Sequence, residues 1–375
     1  MIGVALLGST GSIGTTALRV LARQRGRFRV AALTAHANAT GLAEQAARWA
    51  PPFVGIVHAG EGHPVAWAQG EDCLVQAAQR DDVDIVLNAV VGAAGLDATL
   101  AALERGRRVA LANKETLVMA GPLVLAAARR GGGEIVPVDS EHSAILQCIA
   151  GRPRQEIRRL IITASGGPFR DWTRARLEGA TLADALQHPT WNMGRKISVD
   201  SATLANKALE VIEAHLLFGI PYERIDVVVH PQSVVHSMVE FVDGSVIAQL
   251  GQPTMEIPIL YALTHPERVT DAGVAPFDPV RSSPLTFEAV RSDDFPALAL
   301  GREAGLAGGA APAVFNAANE AAVALFLDAK LRFTQIPQAI RSALDAVGGA
   351  PFATRADLGE ADSRARRHVR EHFAC

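Results

Sequence analysis

The sequence predicts an α/β protein with three parts: a doubly wound parallel sheet at the amino terminus, an α+β part after it, and a helical carboxyl-terminal part. Three observations predict this class. Short apolar runs alternate with helical patterns over roughly the first 140 residues, a glycine-rich segment follows the first run, and the pattern from Phe295 to Phe373 is mostly helical. Apolar strands separated by helices are typical of parallel βαβ units.

The first region, residues 1–150, is predicted to contain strands with helical segments between most of them. These strands are Ile2–Leu7, Phe28–Leu33, Phe53–Val57, Val83–Asn88, Arg108–Leu111 and Glu134–Val138. Their nearly continuous apolar character indicates strands that are buried on both faces of a sheet.

The next region, residues 151–264, predicts an α+β domain with a helix over Ser201–Phe218. Its predicted strands are Leu160–Thr163, Asp226–Val229, Val234–Val242 and Ser245–Leu250, the last two joined by the hairpin signal Asp243-Gly244. Residues 165–196 contain several Gly and Pro and little periodicity. A loop of this length in a compact protein is usually a lid or a binding loop.

The remaining chain predicts a linker and then helices. Residues 265–290 are the predicted linker, because His265–Pro284 is rich in Pro and Asp and has little pattern. Residues 291–375 are predicted to be helical, with helix starts near Ala311, Ile336 and Leu358.

Composition excludes several classes of protein. The chain has 375 residues, a formal net charge of −3, 49% hydrophobic residues and 20% charged residues, which is the composition of a globular protein with a large core. Such a balance gives no electrostatic reason to expect nucleic acid or an anionic membrane as a partner. No apolar stretch approaches the roughly 18 residues that span a bilayer, and the first residues do not look like a signal peptide. The scattered cysteines Cys73, Cys148 and Cys375 fit a reducing compartment, so we expect a cytoplasmic protein.

The glycine-rich segment predicts a nucleotide site. Gly8, Gly11 and Gly14 lie between the first predicted strand and a helix, where glycines allow a tight turn and the helix N-terminus favours a pyrophosphate. NAD-binding folds usually place Asp or Glu at the end of the second strand, but here the sequence is Ala35-His36-Ala37-Asn38. The missing acid favours NADP, although no Arg or Lys follows to hold the extra phosphate.

Acidic residues predict a metal site. Asp139 and Glu141 follow a predicted strand, and continued extended geometry would place them on the same face. Glu210 lies on the predicted helix, where Asn206 shares its face and Lys207 is three residues away. If the three acids converge, an oxygen-only set suits Mg²⁺ or Mn²⁺ rather than zinc. If the three acids do not converge, Asp139 and Glu141 belong to an ordinary helix cap or solvated turn, and Glu210 belongs to an ordinary exposed helix face with an ion pair.

Polar residues near these acids predict a phosphate site. Ser165-Gly-Gly167 and Ser201, together with the Asn206-Lys207 pair, would form a polar and cationic cup. Lysine is rare, with four residues against 32 arginines: Lys114, Lys196, Lys207 and Lys330. Because the two side chains are not equivalent, we expect these few lysines to lie where a compact ammonium is needed.

Seven motifs occur in the order found in the 1-deoxy-D-xylulose 5-phosphate reductoisomerase family, and the chain resembles that family over most of its length. The motifs are Gly8–Gly14, Leu111–Glu115, Pro137–His142, Ala164–Phe169, His188–Ser201, Asn206–Glu210 and His230–His236, and Phe315–Glu320 is also similar. The resemblance implies a Rossmann-like NADPH-binding domain, a catalytic domain with the lid, a linker and a carboxyl-terminal helical bundle, in a homodimer. It implies a sugar phosphate as the small-molecule partner, with no nucleic acid and no membrane.

The resemblance also implies the roles of individual residues. To NADPH it assigns the set Thr10, Gly11, Ser12, Ile13, His36, Ala37, Asn38, Asn113, Glu115 and Gly194. To Mn²⁺ or Mg²⁺ it assigns Asp139, Glu141 and Glu210. To the substrate it assigns Lys114, Ser140, Glu141, Ser165, His188, Trp191, Ser201, Asn206, Lys207, Glu210 and His236, of which Lys114, Glu141, His188 and Glu210 are predicted to be catalytic. Trp191 and Met193 resemble the apolar cover of the lid. The chain departs from the family at His36 and Ala37, where members often have Gly and a basic residue.

The implied activity is the NADPH- and metal-dependent rearrangement and reduction of 1-deoxy-D-xylulose 5-phosphate to 2-C-methyl-D-erythritol 4-phosphate, in non-mevalonate isoprenoid biosynthesis. Three other functions compete with it: an NADP-dependent oxidoreductase without rearrangement, a metal-dependent sugar-phosphate isomerase or aldolase with a vestigial nucleotide fold, and a non-enzymatic nucleotide sensor. Whether turnover needs the metal and NADPH distinguishes among them.

Overall fold

A computed structural model describes residues 1–60, 66–191 and 193–374, which form two compact units. The first unit consists of Met1–Leu117, Gly121–Ser143 and Thr254–Pro276. The second unit consists of Val118–Ala120, Ala144–Pro253 and the chain from Phe277 onward. Cys73 and Cys148 are buried and form no disulfide, whereas Cys375 lies outside the described residues.

The strands and helices of the described residues are numbered in chain order. The strands are β1 Ile2–Leu7, β2 Phe28–Ala35, β3 Phe53–Ile56, β4 Ala68–Gln69, β5 Ile85–Asn88, β6 Arg108–Leu111, β7 Glu134–Pro137, β8 Ile157–Ala164, β9 Ile225–Val229, β10 Val235–Phe241, β11 Val246–Leu250 and β12 Glu288–Ala289. The α-helices are α1 Ser12–Arg23, α2 Ala39–Trp49, α3 Asp72–Gln79, α4 Leu96–Glu104, α5 Lys114–Gly131, α6 Ser140–Cys148, α7 Arg174–Leu177, α8 Leu182–Ala185, α9 Arg195–Thr203, α10 Ala205–Phe218, α11 Glu256–Thr264, α12 Ala297–Ala307, α13 Ala311–Leu327, α14 Ile336–Val347 and α15 Arg355–Phe373.

The first unit contains the predicted doubly wound sheet. Its described strands form a parallel sheet in the order β4-β3-β2-β1-β5-β6-β7. The central strand β1 is fully buried from Val4 to Leu7, as expected for a strand covered on both faces. The order of strands reverses at β1, because β2 lies on one side of it and β5 on the other. Ligands of open α/β sheets bind at such a reversal, beyond the carboxyl ends of the strands.

Helix α11 belongs to the first unit although it is distant from the other segments in sequence. Arg23 on α1 forms ion pairs with Glu256 at 2.6 Å and with Asp271 at 2.5 Å. Arg108 at the start of β6 donates a hydrogen bond of 3.3 Å to the carbonyl oxygen of Leu263. Part of the region that the sequence predicted as a linker is therefore held against the first sheet.

The second unit combines a mixed sheet with helices. Its sheet has the order β11-β10-β8-β9-β12, in which β8 and β9 are parallel and the other neighbouring pairs are antiparallel. The hairpin between β10 and β11 turns at Asp243-Gly244, as predicted, with Gly244 at φ +85°. Phe169 and Phe333 stack edge to face with ring centroids 4.7 Å apart in the core of this unit. The helical pattern of the carboxyl-terminal region is confirmed by α12 to α15.

The predicted helix over Ser201–Phe218 is wrong in one respect, because two helices occupy this part of the chain. Helix α9 begins at Arg195, inside the predicted loop, and ends after Thr203. Leu204 has a left-handed conformation with φ 63° and separates α9 from α10. Leucine is a good helix former, so the amino-acid sequence around Leu204 gives no sign of this break. The predicted loop also contains the short helices α7 and α8.

No helix in the described part of the chain is both long enough and apolar enough to cross a bilayer.

Candidate active site

The turn between β1 and α1 leaves no room for side chains at two of its glycines. Gly8 has φ +78°, and a Cβ atom added there would lie 2.6 Å from the carbonyl oxygen of Ala89. A Cβ atom at Gly14 would lie 2.3 Å from the carbonyl oxygen of Gly8. The first turn of α1 has no acidic residue, and no side chain caps its N-terminus. Gly11 and Ser12 are exposed, so this end of the helix is open to an anionic ligand.

The end of β2 lies beside this turn. The backbone N–H groups of Gly8 and Ser9 donate to the carbonyl oxygen of Thr34 at 3.1 and 2.8 Å. His36, Ala37 and Asn38 follow and are exposed. The Asn38 side chain accepts a hydrogen bond of 2.9 Å from the N–H of Gly41 and so caps α2.

Helix α5 begins inside a predicted motif: Asn113 is its N-cap, and Lys114 and Glu115 are its first two residues. Asn113 is 1% exposed, and its side chain accepts from the N–H of Thr116 at 2.8 Å and donates to the carbonyl oxygen of Gly92 at 2.8 Å. This geometry gives Asn113 a clear role in shaping the loop. Lys114 and Glu115 are also buried, and the Lys114 Nζ lies 2.6 Å from Oδ2 of Asp139.

The acidic pair that follows β7 has a different backbone from the one expected. Extended geometry does not continue, because β7 ends at Pro137 and α6 begins at Ser140. Asp139 instead caps the new helix: its carbonyl oxygen accepts from the N–H of Ser143 at 2.8 Å and its Oδ1 from that of Glu141 at 3.3 Å. The two acids are nevertheless close, with carboxylate oxygens within 4.8 Å of each other. Ser140 fixes the Glu141 carboxylate through a hydrogen bond of 2.6 Å.

Asp139 is ionised in this setting. Burial opposes its ionisation, but the positive charge of Lys114, with a contribution from His142, holds the pKa of the Asp139 carboxyl well below its usual range. His142 is fully buried, and its Nδ1 lies 3.6 Å from Oδ1 of Asp139. His142 has no predicted role, although its position three residues after Asp139 at the start of a helix is a signal for this contact.

In the second unit, His188 is held as a neutral hydrogen-bond donor to Ser165. The His188 Nδ1 accepts from the N–H groups of Thr190 at 3.2 Å and Trp191 at 2.9 Å, so the ring proton must be on Nε2. That Nε2 lies 2.9 Å from Oγ of Ser165. Burial, with a contribution from the Arg170 charge, lowers the pKa of His188 to about 4.

Glycines bring the Ser165 turn against α9. Gly166 and Gly167 have φ +82° and +69°, a region that glycine adopts without strain. A Cβ atom at Gly167 would lie 2.7 Å from the carbonyl oxygen of Ser201. The N–H of Gly167 donates to Oγ of Ser165 at 3.2 Å. Gly167, which is two residues after Ser165, therefore packs closely against the backbone of Ser201.

Helix α10 presents the third predicted acid with its partners. The Asn206 amide donates to Oε1 of Glu210 at 2.5 Å, and the Lys207 ammonium pairs with Oε2 of the same carboxylate. Lys207 and Glu210 are 4% and 1% exposed, so these contacts fix both groups in the interior.

Trp191 and His236 lie near each other in the second unit, with ring centroids 6.5 Å apart. Burial is the main cause that lowers the pKa of His236 to about 4, and the charge of Lys207 contributes. Met193 is half-buried and Gly194 is the exposed residue before α9. Asn192, within the predicted lid, lies outside the described residues.

The fold and these groups are typical of one class of protein. A doubly wound sheet with a glycine turn at its central strand places the chain among the dinucleotide-binding α/β proteins. Family models give the particular family: 1-deoxy-D-xylulose 5-phosphate reductoisomerase matches residues 4–121, and two carboxyl-terminal domains of the same enzyme match residues 135–218 and 250–368. The chain belongs to the 1-deoxy-D-xylulose 5-phosphate reductoisomerase family.

Individual relatives agree with the family models. The 1-deoxy-D-xylulose 5-phosphate reductoisomerase of Gloeobacter violaceus is 49% identical, over 98% of this chain and 96% of that protein. The enzyme of Chloroherpeton thalassium is also 49% identical, over 98% and 97%. The solved structure of the Zymomonas mobilis enzyme in complex with NADPH has a TM-score of 0.91 at 44% identity, covering 99% of both chains. A DOX-P reductoisomerase solved with NADPH, fosmidomycin and magnesium has a TM-score of 0.92 at 37% identity, covering 99% of this chain and 98% of that one.

Proposed function

We propose that this protein converts 1-deoxy-D-xylulose 5-phosphate to 2-C-methyl-D-erythritol 4-phosphate with NADPH and a divalent cation, as part of isoprenoid precursor synthesis. The observation that carries the proposal is the Lys114–Asp139–Glu141 group: an ammonium and two carboxylates, buried or half-buried, at the carboxyl ends of the neighbouring parallel strands β6 and β7. An NADP-dependent oxidoreductase without rearrangement would not need such an acidic pair.

The chain's own residues fit both cofactors. The close backbone packing at Gly8 and Gly14, which leaves no room for a Cβ atom, matches the tight glycine turn that receives a pyrophosphate. Asp139 and Glu141 provide the carboxylate oxygens that Mg²⁺ and Mn²⁺ prefer. We propose that Asp139, Glu141 and Glu210 ligate one cation. When bound, the cation polarises oxygen atoms of the substrate and NADPH supplies the hydride.

Lys114 is placed to act on the reacting oxygens. Lys114 is buried and its ammonium is held 2.6 Å from Asp139, so its position is fixed before substrate arrives. A fixed cation stabilises the negative charge that develops on oxygen as the carbon skeleton shifts, and it can return a proton after reduction. Ser140 keeps the Glu141 carboxylate in one orientation throughout.

The second unit supplies a site for the phosphate of the substrate. Because His188 donates its ring proton to Ser165, the hydroxyl hydrogen of Ser165 remains available for an anionic oxygen. Ser201 adjoins this turn, and Asn206 and Lys207 add an amide and a cation to the proposed set. The phosphate takes no part in bond making, so its binding energy can hold the lid segment with Trp191 over the reactants and exclude water.

We propose that residues 1–150 form the NADPH-binding domain and that residues 151–264 form the catalytic domain with the metal and substrate site and the lid. A linker, residues 265–290, then leads to a helical domain, residues 291–375. We further propose a homodimer in the cytoplasm.

The experiment is an assay of NADPH oxidation with 1-deoxy-D-xylulose 5-phosphate, in the presence of Mn²⁺ and after chelation, with the product identified by mass spectrometry. We expect turnover only with both cofactors, and 2-C-methyl-D-erythritol 4-phosphate as the product. Oxidation that survives chelation would indicate a simple oxidoreductase, and conversion of substrate without NADPH would indicate an isomerase or aldolase.

A further inference from the structure

The segments that follow the carboxyl ends of the neighbouring strands β1, β2 and β3 lie close together in the first unit. The glycine turn after β1 is hydrogen-bonded to Thr34 near the end of β2. The end of β3 is in turn bonded to the residues after β2: Val57 N–H donates to Ala35 at 3.0 Å and His58 N–H to His36 at 2.7 Å, both to carbonyl oxygens. His36 and His58 are therefore neighbours, next to the turn that receives the pyrophosphate.

The two imidazole rings are in contact with each other and are exposed to solvent. Their centroids are 4.6 Å apart and their planes cross at 80°, so the edge of one ring meets the face of the other. Both residues are exposed. An imidazole always carries at least one ring N–H, and therefore two adjacent rings offer at least two donors to an incoming ligand.

The surroundings favour an anion. Between Met1 and Gly60 the sequence contains a single acidic residue, Glu44, while the next acid, Glu61, lies outside the described residues. Helix α2 begins at Ala39, directly after this surface, and has no acidic residue in its first turn. The partial positive charge at the start of a helix stabilises a nearby anion.

We propose that His36 and His58 together bind the 2′-phosphate of the adenosine ribose of NADPH and so decide the preference for NADPH over NADH. The inference rests on the proposed function, since it concerns the same nucleotide. In folds of this type the pyrophosphate lies at the glycine turn and the ribose 2′ position at the end of the second strand. His36 is at that end and His58 comes from the neighbouring strand, which no sequence motif singled out. The paired imidazoles take the place of the arginine or lysine that is missing after the second strand of this sequence.

The test measures binding rather than turnover, by isothermal titration calorimetry with NADPH, NADH, 2′,5′-ADP and 5′-AMP. The variants are His36→Phe and His58→Phe, which keep an aromatic ring but remove the donors, and His58→Gln, which keeps one N–H donor. Each Phe variant should weaken binding of NADPH and of 2′,5′-ADP about tenfold, the effect of losing a hydrogen bond to a charged group. NADH and 5′-AMP should bind each variant within about twofold of the wild-type protein, and His58→Gln should recover part of the loss.

Three other calorimetry results would contradict the inference or the proposed function. Equal weakening of NADPH and NADH in the Phe variants would overturn the inference, because the histidines would then shape the site without reading the phosphate. Unchanged NADPH binding in both variants would also overturn it. If the wild-type protein binds neither dinucleotide, the proposed function itself fails, which separates the two claims.

Discussion

At the scale of single residues, the rare lysines are the clearest link between sequence and site. Lys114 pairs with Asp139, Lys196 lies 3.0 Å from Asp200, and Lys207 pairs with Glu210, all at buried or half-buried positions. Lys330 is exposed, with Asp328 4.0 Å away. A chain that uses arginine on its surface thus keeps three of its four lysines for contacts with interior carboxylates, where a compact ammonium fits.

Replacing Glu210 by Gln tests the third acid. The amide keeps the shape of the side chain but removes the negative charge, so we expect metal-dependent turnover to fall by roughly 10²–10³. Binding of NADPH, measured by calorimetry, should stay at the wild-type value. Glu223→Gln is the matched control, since Glu223 is an exposed acid that follows the same helix. Full activity in Glu210→Gln would remove Glu210 from the metal site.

The hydrogen bonds of His188 predict its tautomer. Two backbone N–H groups point at Nδ1, so the neutral ring must carry its proton on Nε2, and protonation of Nδ1 would break both contacts. Histidine-labelled ¹⁵N NMR should show this tautomer at pH 7 and a pKa of about 4 for His188. If His188 instead had the ordinary histidine pKa near 6.5, its ring would not be buried as the structure describes.

At the scale of elements, apolar pattern predicted the strands well and their ends less well. The bounds of β1 and β6 agree with the prediction, because each is an apolar run with clear flanks. Two features of the site were not predictable from pattern. Asp139 and Glu141 were expected to share the face of a continuing strand, but a helix starts between them. Leu204 breaks a helix although its side chain favours one, because packing of α9 and α10 overrides the intrinsic preference.

The turn between β1 and α1 depends on the absence of one Cβ atom. In Gly14→Ala the new atom would clash with the carbonyl oxygen of Gly8, so α1 must move away from the turn. We expect at least tenfold weaker NADPH binding and a loss of about 1–3 kcal/mol in the free energy of unfolding, the usual cost of overpacking. Calorimetry and urea unfolding measure the two effects.

Gly26→Ala is the control for that change. A Cβ atom at Gly26 meets nothing within 4 Å, and this glycine has no positive φ. NADPH binding and stability should therefore remain close to the wild-type values. Equal losses in both variants would mean that the crowding at Gly14 is not the cause.

At the scale of the whole molecule, buried histidines make stability depend on pH. Burial lowers the pKa of His236 to about 4 in the folded protein, while the unfolded chain has the ordinary value near 6.5. Between these values the unfolded state binds more protons, so the free energy of unfolding rises with pH there and falls as the solution is acidified. This group accounts for about 3 kcal/mol, which is fully present above pH 6.5 and lost as pH approaches 4.

Urea unfolding of the wild-type protein and of His236→Gln at pH 4.5 and 7 measures this contribution. The variant should lose clearly less stability on acidification than the wild-type protein, because glutamine does not titrate. The same loss in both proteins would show that other groups cause the acid sensitivity.

The fold class of the molecule was predictable, because strands that are buried on both faces form nearly continuous apolar runs, and such runs can be recognised in a single sequence. The sequence also offers candidate site residues by type and order, and their roles stay predictions. How these side chains are held could not be predicted: the proton of His188 is fixed by backbone groups in a loop, and His58 approaches His36 only through pairing of β2 with β3. Contacts of this kind depend on tertiary register, which local pattern does not encode.

The first unit is assembled from separate stretches of the chain, and this has a consequence for biosynthesis. Arg23 on α1 meets its partners Glu256 and Asp271 only when a segment more than 200 residues later has been made. A ribosome adds about 5–20 residues per second, so the nascent nucleotide-binding half waits on the order of ten seconds or more for its last helix. During that interval the surface that α11 will cover is open to chaperones, and a fragment truncated at residue 143 would stay in that unfinished state.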